Sequence, residues 1–212
     1  ECALYQLRVA IQKAPASRQL SNERFDVTHE TFERSSSQQQ LVLQMLNELI
    51  SSKKKSADAL RILSVGFGSG ILDNQLISAL TPSIGAFEYT GVDPNPVACC
   101  RFLEDFRKLD LTGVKLDVKT KTVESLDVNE CFDVIQLTHS LYYFEDPADT
   151  LDKLRKLLAP GGKLIFEVPN AADPLYSIYD IPAFERFYWS IAHAWYFSRA
   201  SLEHLLTGLG VT

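Results

Sequence analysis

Only four cysteines occur in the 212 residues, and Cys2, Cys99, Cys100 and Cys131 lack the paired spacing by which thiolates hold zinc. Adjacent Cys99 and Cys100 are badly placed to bridge each other. No metal site is expected, and a reducing, cytoplasmic setting fits. Long apolar runs are missing too. Leu164–Val168 and the interrupted stretch Leu41–Leu49 fall far short of the roughly 20 residues that cross a bilayer. Basic charge is not in excess: 21 Lys and Arg face 27 Asp and Glu, for a net charge of −6. No general pull toward nucleic acid or anionic lipid follows, which leaves a small molecule or a protein as partner. Internal repeats and low-complexity tracts are absent, and nothing in the sequence sets an oligomeric state. Glu1 opens no methionine-led or basic-then-apolar leader, so the chain reads as a piece of a longer protein.

What is present is an ordinary globular composition, 46% hydrophobic and 10% aromatic, enough for one domain with a sizeable core. Residues 1–58 read as a polar, helical N-terminal lid. Its clearest amphipathic stretch is Gln38–Ile50, with Leu41, Met45, Leu46 and Leu49 on one face and Ser35–Ser37 as a cap. Residues 59–212 then alternate strand and helix. Arg61–Val65 predicts a strand, and Ile71–Leu80 a helix that Pro82 stops. Tyr89–Val92 predicts a second strand, followed by a helix carrying Val97, Cys100, Leu103, Phe106 and Leu109 at helical spacing. Val114–Val118 and Phe132–Leu137 predict two more strands. Asp146 and Pro147 open a helix that Ala159-Pro160-Gly161-Gly162 ends, and Lys163–Val168 follows as a fifth strand. A last helix is expected over Ser198–Leu206. Such alternation calls for a doubly wound α/β domain with a mainly parallel sheet.

The chemistry concentrates where the first strand meets the first helix of that domain. Gly66, Gly68 and Gly70 let the backbone turn sharply and approach a ligand with no Cβ in the way. Helix amides would then face that ligand. Asp93 ends the next strand, where a carboxylate can accept hydrogen bonds from both hydroxyls of a ribose. A dinucleotide fingerprint wants a third small residue where Ile71 stands and an acid closer in sequence.

Strand, glycine turn, acid, Phe132-Asp133-Val134-Ile135 and Leu158-Ala159-Pro160-Gly161-Gly162-Lys163 together resemble class I S-adenosylmethionine-dependent methyltransferases, over about residues 60–168. Arg61–Gly66, Leu141-Tyr142-Tyr143 and Ser35–Gln40 are more narrowly similar to histamine N-methyltransferase and its relatives. The resemblance implies a Rossmann-like fold with S-adenosyl-L-methionine as cofactor and S-adenosyl-L-homocysteine as product. It implies that Gly66, Phe67, Gly68 and Gly70 line the methionine and ribose part, and that Asp93 holds the ribose with Pro94 beside the adenine. It places Thr122 and Val123 at the adenine edge, where many relatives carry an acid-alanine pair. Families of this kind usually end in an antiparallel strand pair, so a C-terminal portion is expected beyond Thr212.

Ligands of open parallel sheets bind beyond the carboxyl ends of the strands, so Thr138, His139 and Ser140 should lie near the transferred methyl. His139 can accept a proton or simply pack, and Tyr143 is the second candidate for a catalytic role. The resemblance makes Tyr142 and Tyr143 substrate-facing, and the density of aromatics after Asn170 makes Tyr176 a candidate pocket residue. The segment after Leu137 lacks the Asn-Pro-Pro-Tyr motif of amide-nitrogen methyltransferases, which argues against nucleic-acid bases. Where the histamine enzyme carries a glutamate this chain has Gln38, so histamine itself is not the expected acceptor. Glu167 could supply the missing charge. The expected activity is methyl transfer to the nitrogen of a small amine. Transfer to oxygen or carbon, and a catalytically silent cofactor binder, are the alternatives.

Overall fold

A computed structural model of the chain describes residues 38–53, 59–127, 129, 131–174, 178 and 194–210. Within them, helix α1 (Gln38–Ser51) precedes β1 (Leu60–Val65), α2 (Ile71–Ile84), β2 (Phe87–Asp93), α3 (Pro96–Lys108) and β3 (Val114–Thr120). Then come β4 (Phe132–Thr138), α4 (Pro147–Lys156), β5 (Leu158–Glu167) and α5 (Arg199–Gly208). The five strands form one parallel sheet in the order β3-β2-β1-β4-β5. No helix among the described residues is long and apolar enough to cross a membrane.

Both faces of the sheet are covered, which is why its central strands are almost continuously apolar. Ile62, Phe87, Tyr89 and Val134 face one core, shared with Val42, Leu46 and Ile50 of α1, Leu72, Leu76 and Leu80 of α2, and Phe102 of α3. Leu63, Val65, Ile135 and Leu137 face the other, with Leu151 and Leu154 of α4, while Leu202, Leu205 and Leu206 of α5 pack on it. The chain steps outward from β1 to β3 and then returns to the opposite side of β1 as β4. The crevice therefore opens between the carboxyl ends of β1 and β4.

Several local expectations are corrected. Leu41, Met45 and Leu49 of α1 are exposed, and the buried stripe is Val42, Leu46 and Ile50 instead. On α3, Val97 and Cys100 are exposed whereas Ala98, Cys99 and Phe102 are buried. In both helices an apolar residue stands on each side of the true face, and the packing partner, not the periodicity, selects one. The proposed cap Ser35–Ser37 lies outside the described residues. Pro82 does not stop α2. It sits in the last turn, where a missing N–H frees only one carbonyl, and the helix runs on to Gly85, whose N–H reaches the Thr81 carbonyl at 3.0 Å. The fifth strand begins at Leu158: Leu158 pairs with Phe132 and Lys163 with Val134, so Ala159–Gly162 bulges out between two paired stretches. Lys163 donates from that strand to the Leu49 carbonyl at 3.0 Å, covering the carboxyl end of α1.

One glycine of the turn is fixed by packing alone. Gly70 has φ 72°, and a Cβ there would meet the Phe102 ring at 2.7 Å. Gly70→Ala is expected to lower unfolding stability by about 2 kcal/mol or more through combined strain and overpacking, read from urea denaturation. An unchanged midpoint would show that Phe102 yields freely.

Candidate active site

The turn after β1 stays tied to the sheet: the Gly66 N–H donates to the Val92 carbonyl of β2 at 2.8 Å. Gly66 adopts φ 68°, and a Cβ there would lie 2.6 Å from the Cβ of Ser140. Its bareness thus lets the end of β4 nest against the end of β1. Ser140 is buried and donates to the Val65 carbonyl at 2.8 Å, so its hydroxyl is spent on joining those two strand ends. Between them opens a cavity of about 380 Å³, lined by Gly66, Gly68, Asp93, Pro94, Thr122, Val123, His139, Ser140 and Tyr143 among others.

Asp93 stands at the centre of the polar wall and is only 7% exposed. Its Oδ2 accepts from the Gly68 N–H at 3.0 Å and its Oδ1 from the Asn95 N–H at 2.8 Å. A carboxylate can accept about four hydrogen bonds, so holding two loops does not exhaust its capacity. Asn95 in turn caps α3, accepting from the Val97 N–H at 3.0 Å.

The carboxyl ends of β4 and β5 carry a second polar element. Thr138 is the register partner of Glu167, which sets His139 beside that glutamate: Nδ1 lies 2.6 Å from Oε2. The contact is one of distance alone, since this buried oxygen has no aligned hydrogen-bond donor among the described residues. His139 also adopts φ 53°, a left-handed conformation uncommon outside glycine. It borders both the main cavity and a small neighbouring pocket that Thr138, Phe67 and Asp73 share.

Tyr142 is buried, while Tyr143 is 39% exposed and lines the cavity. Their rings lie 4.6 Å apart at 52°. Burial, followed by the nearby Tyr143 and Glu167 charges, pushes the Tyr142 hydroxyl well above its ordinary range. Burial also raises Tyr143, against a lowering hydrogen bond from Tyr142. Neither phenol is therefore a base near neutral pH, which leaves Tyr143 a ring and a hydrogen-bond donor rather than a proton acceptor. The loop that carries them is fastened from outside: the Ala194 N–H reaches the Tyr142 carbonyl at 3.1 Å, and the Trp195 indole reaches the Phe144 carbonyl at 2.9 Å.

Not every expected residue meets the cavity. The Phe67 ring turns into the core against Phe102, 4.8 Å between centroids, and touches only the smaller pocket. Gly70 lies behind the turn, against Phe102, and Thr138 borders the smaller pocket. Gln38 is exposed at the start of α1 and lines neither space. Tyr176 lies outside the described residues. Sequence reasoning missed Asn95, Lys121, Phe144 and Glu145, all of which line the cavity. The run Asp93-Pro94-Asn95-Pro96 could have revealed Asn95, because Asn before Pro is a helix-opening signal.

Residues 19–212 match a family model described as a methyltransferase domain. The chain belongs to this methyltransferase family. It is 36% identical over 106 residues to the tRNA U34 carboxymethyltransferase of Klebsiella pneumoniae subsp. pneumoniae, covering 50% of this chain and 30% of that one. It is 32% identical over 107 residues to the ubiquinone biosynthesis O-methyltransferase of Paramagnetospirillum magneticum, covering 50% of this chain and 39% of that enzyme. The chain thus spans less than half the length of these curated relatives. Among solved structures, the plantazolicin methyltransferase BpumL in complex with SAH superposes with a TM-score of 0.65 at 18% identity, covering 92% of this chain and 72% of that one. That likeness is one of fold: the methyltransferase has the Rossmann-like sheet expected from its sequence.

Because the folded Tyr142 and Tyr89 hydroxyls are raised above their ordinary value of 10.0, the stability they carry is complete below about pH 10 and is lost as pH rises beyond it. Urea unfolding at pH 8 and pH 11 should show a marked loss in the wild type and a smaller one in Tyr142→Phe. Equal losses would mean that Tyr142 is already ionised in the folded methyltransferase.

Proposed function

We propose that the cavity between β1, β2 and β4 holds S-adenosyl-L-methionine, the methyl donor of this class of enzyme, for transfer to the nitrogen of a small-molecule amine. The observation that carries the reading is the joint placement of bare backbone at Gly66 and Gly68 with the Asp93 carboxylate on one wall. Those residues fit the group. Asp93 is an acceptor suited to paired ribose hydroxyls, and it is already aligned by two backbone amides. Pro94, Val123 and Val92 give the apolar walls that an adenine ring needs, and the lining as a whole is mostly apolar with a few convergent polar groups.

When bound, the cofactor supplies an electrophilic methyl carbon on a cationic sulfur. The chain's own residues do the remainder. Asp93 and the glycine turn fix the donor, while Tyr143 and Phe144 bring aromatic side chains to the same cavity. A ring face attracts a cation by roughly 0.5–2 kcal/mol, so it suits either a sulfonium or an ammonium. Holding two reactants in line can lower a barrier by on the order of 7–11 kcal/mol without any covalent step. A small acceptor, rather than a nucleic acid, is supported by the net charge of −6 and by Glu124 and Glu145 on the cavity rim. The amine reading is supported by those same acids and by the tyrosine pair.

Calorimetric titration with S-adenosyl-L-homocysteine should show one site, and the same ligand should raise the Tm of the protein. Asp93→Asn should weaken the affinity about 10- to 100-fold, the loss of one or two charge-assisted hydrogen bonds. Equal binding by wild type and Asp93→Asn would remove Asp93 from the site. Absence of binding in both would remove the reading.

A further inference from the structure

We propose that Asp73 is a second carboxylate of the donor site and anchors the α-ammonium of the cofactor's amino-acid end, in the small pocket beside the glycine turn. This rests on the main cavity being the cofactor site. Two spaces meet at the carboxyl ends of β1 and β4. The larger, about 380 Å³, has Asp93 in its wall, the smaller, about 10 Å³, has Asp73, and Val65, Gly66 and His139 line both. S-adenosyl-L-methionine likewise carries polar groups at its two ends, ribose hydroxyls at one and an amino acid at the other. A ligand whose ribose lies at Asp93 and whose chain passes Gly66 brings its far end to the smaller space.

Size and charge select which group of the amino acid enters there. A space of about 10 Å³ takes roughly one water-sized group, which an ammonium is and a carboxylate is not. The wall is anionic as well. Asp73 is 3% exposed, and its Oδ1 accepts from the Tyr89 hydroxyl of β2 at 2.6 Å and from Nε2 of Gln136 of β4 at 3.3 Å. Both of these donors are neutral, the phenol because burial, and after it the Asp73 charge, holds its proton in place. They fix the position of the carboxylate without cancelling its charge. Gln136 also donates to the Ser64 hydroxyl of β1 at 3.2 Å, so three strands hold the group. An ammonium beside it gains a charge-assisted hydrogen bond, whereas a carboxylate is repelled. A donor fixed at both ends keeps its sulfur in one place, which in-line transfer requires.

Calorimetry on the whole chain tests this with three probes. They are S-adenosyl-L-homocysteine, its deaminated analogue, which keeps the carboxylate and carries hydrogen in place of the ammonium, and 5′-methylthioadenosine, which has no amino-acid end. The wild type is expected to bind S-adenosyl-L-homocysteine about 10-fold or more tighter than the deaminated analogue. Asp73→Asn should reduce that ratio to about threefold or less and bind 5′-methylthioadenosine within about threefold of the wild type. A wild-type ratio near one, or a ratio that Asp73→Asn leaves unchanged, overturns the proposal. An equal loss for all three probes does so too, by showing that Asp73 only supports the fold. Glu167, beside His139, is the control carboxylate, and a ratio that falls in Glu167→Gln but not in Asp73→Asn assigns the anchor there instead. Because Asp73 belongs to a buried cluster, the wild type is also read without a variant. The carbon-13 resonance of the Asp73 side-chain carboxyl should differ between the complexes with S-adenosyl-L-homocysteine and with the deaminated analogue, and coincident resonances overturn the proposal. If neither S-adenosyl-L-homocysteine nor 5′-methylthioadenosine binds the wild type, the cofactor reading falls first and this one with it.

Discussion

The geometry of the site depends on one carboxylate. Asp93 ends β2, yet its two oxygens engage different loops, the Gly68 amide in the turn after β1 and the amide of Asn95, which caps α3. Two loops that would otherwise wander independently are thereby pinned to a single group, 7% exposed, at the mouth of the sheet. A buried carboxylate is costly unless hydrogen-bonded, and backbone amides at two loop starts are donors without helix or ladder partners of their own. Each side of the arrangement removes the other's cost.

Beneath that surface the sheet supplies rigidity. Gln136 donates to the Tyr89 hydroxyl at 2.7 Å, and Tyr89 donates to Asp73 at 2.6 Å, so strands β4 and β2 and helix α2 share one buried polar cluster directly under the glycine turn. Such clusters resist rearrangement because breaking any one bond strands a polar group in apolar surroundings. Phe67 and Gly70 belong to this supporting layer. Both press on Phe102, one with its ring and one with its lack of a side chain.

Much of this was legible in the sequence for reasons that are local. Asp146 before Pro147 marked a helix start, and the Asp146 side chain accepts from the Ala148 and Asp149 amides as a cap should. Glycines between a strand and a helix, followed by an acid at the next strand end, placed the crevice. What escaped was set by tertiary neighbours. An apolar residue on either side of a stripe leaves the helix rotation undetermined, so Val97 and Leu41 looked internal and are exposed. The nearness of His139 and Glu167 could not be read from positions 28 apart. It follows from the parallel register that sets Thr138 against Glu167, which exists only once β4 and β5 have paired. Phe67 was assigned to a ligand because of its neighbours in sequence, whereas its neighbours in space are aromatic.

The irregular pairing of β5 has a bearing on how this protein can vary. Two steps of β4, from Phe132 to Val134, stand opposite five steps of β5, from Leu158 to Lys163, and the surplus is looped out on the amino side of the strand. Residues added to or removed from that loop change only its length, while the aligned run from Lys163 to Glu167 keeps its neighbours. The loop is thus a slack that shields the carboxylate beside His139 from insertions upstream, and length differences between related chains can accumulate there without reaching the cavity.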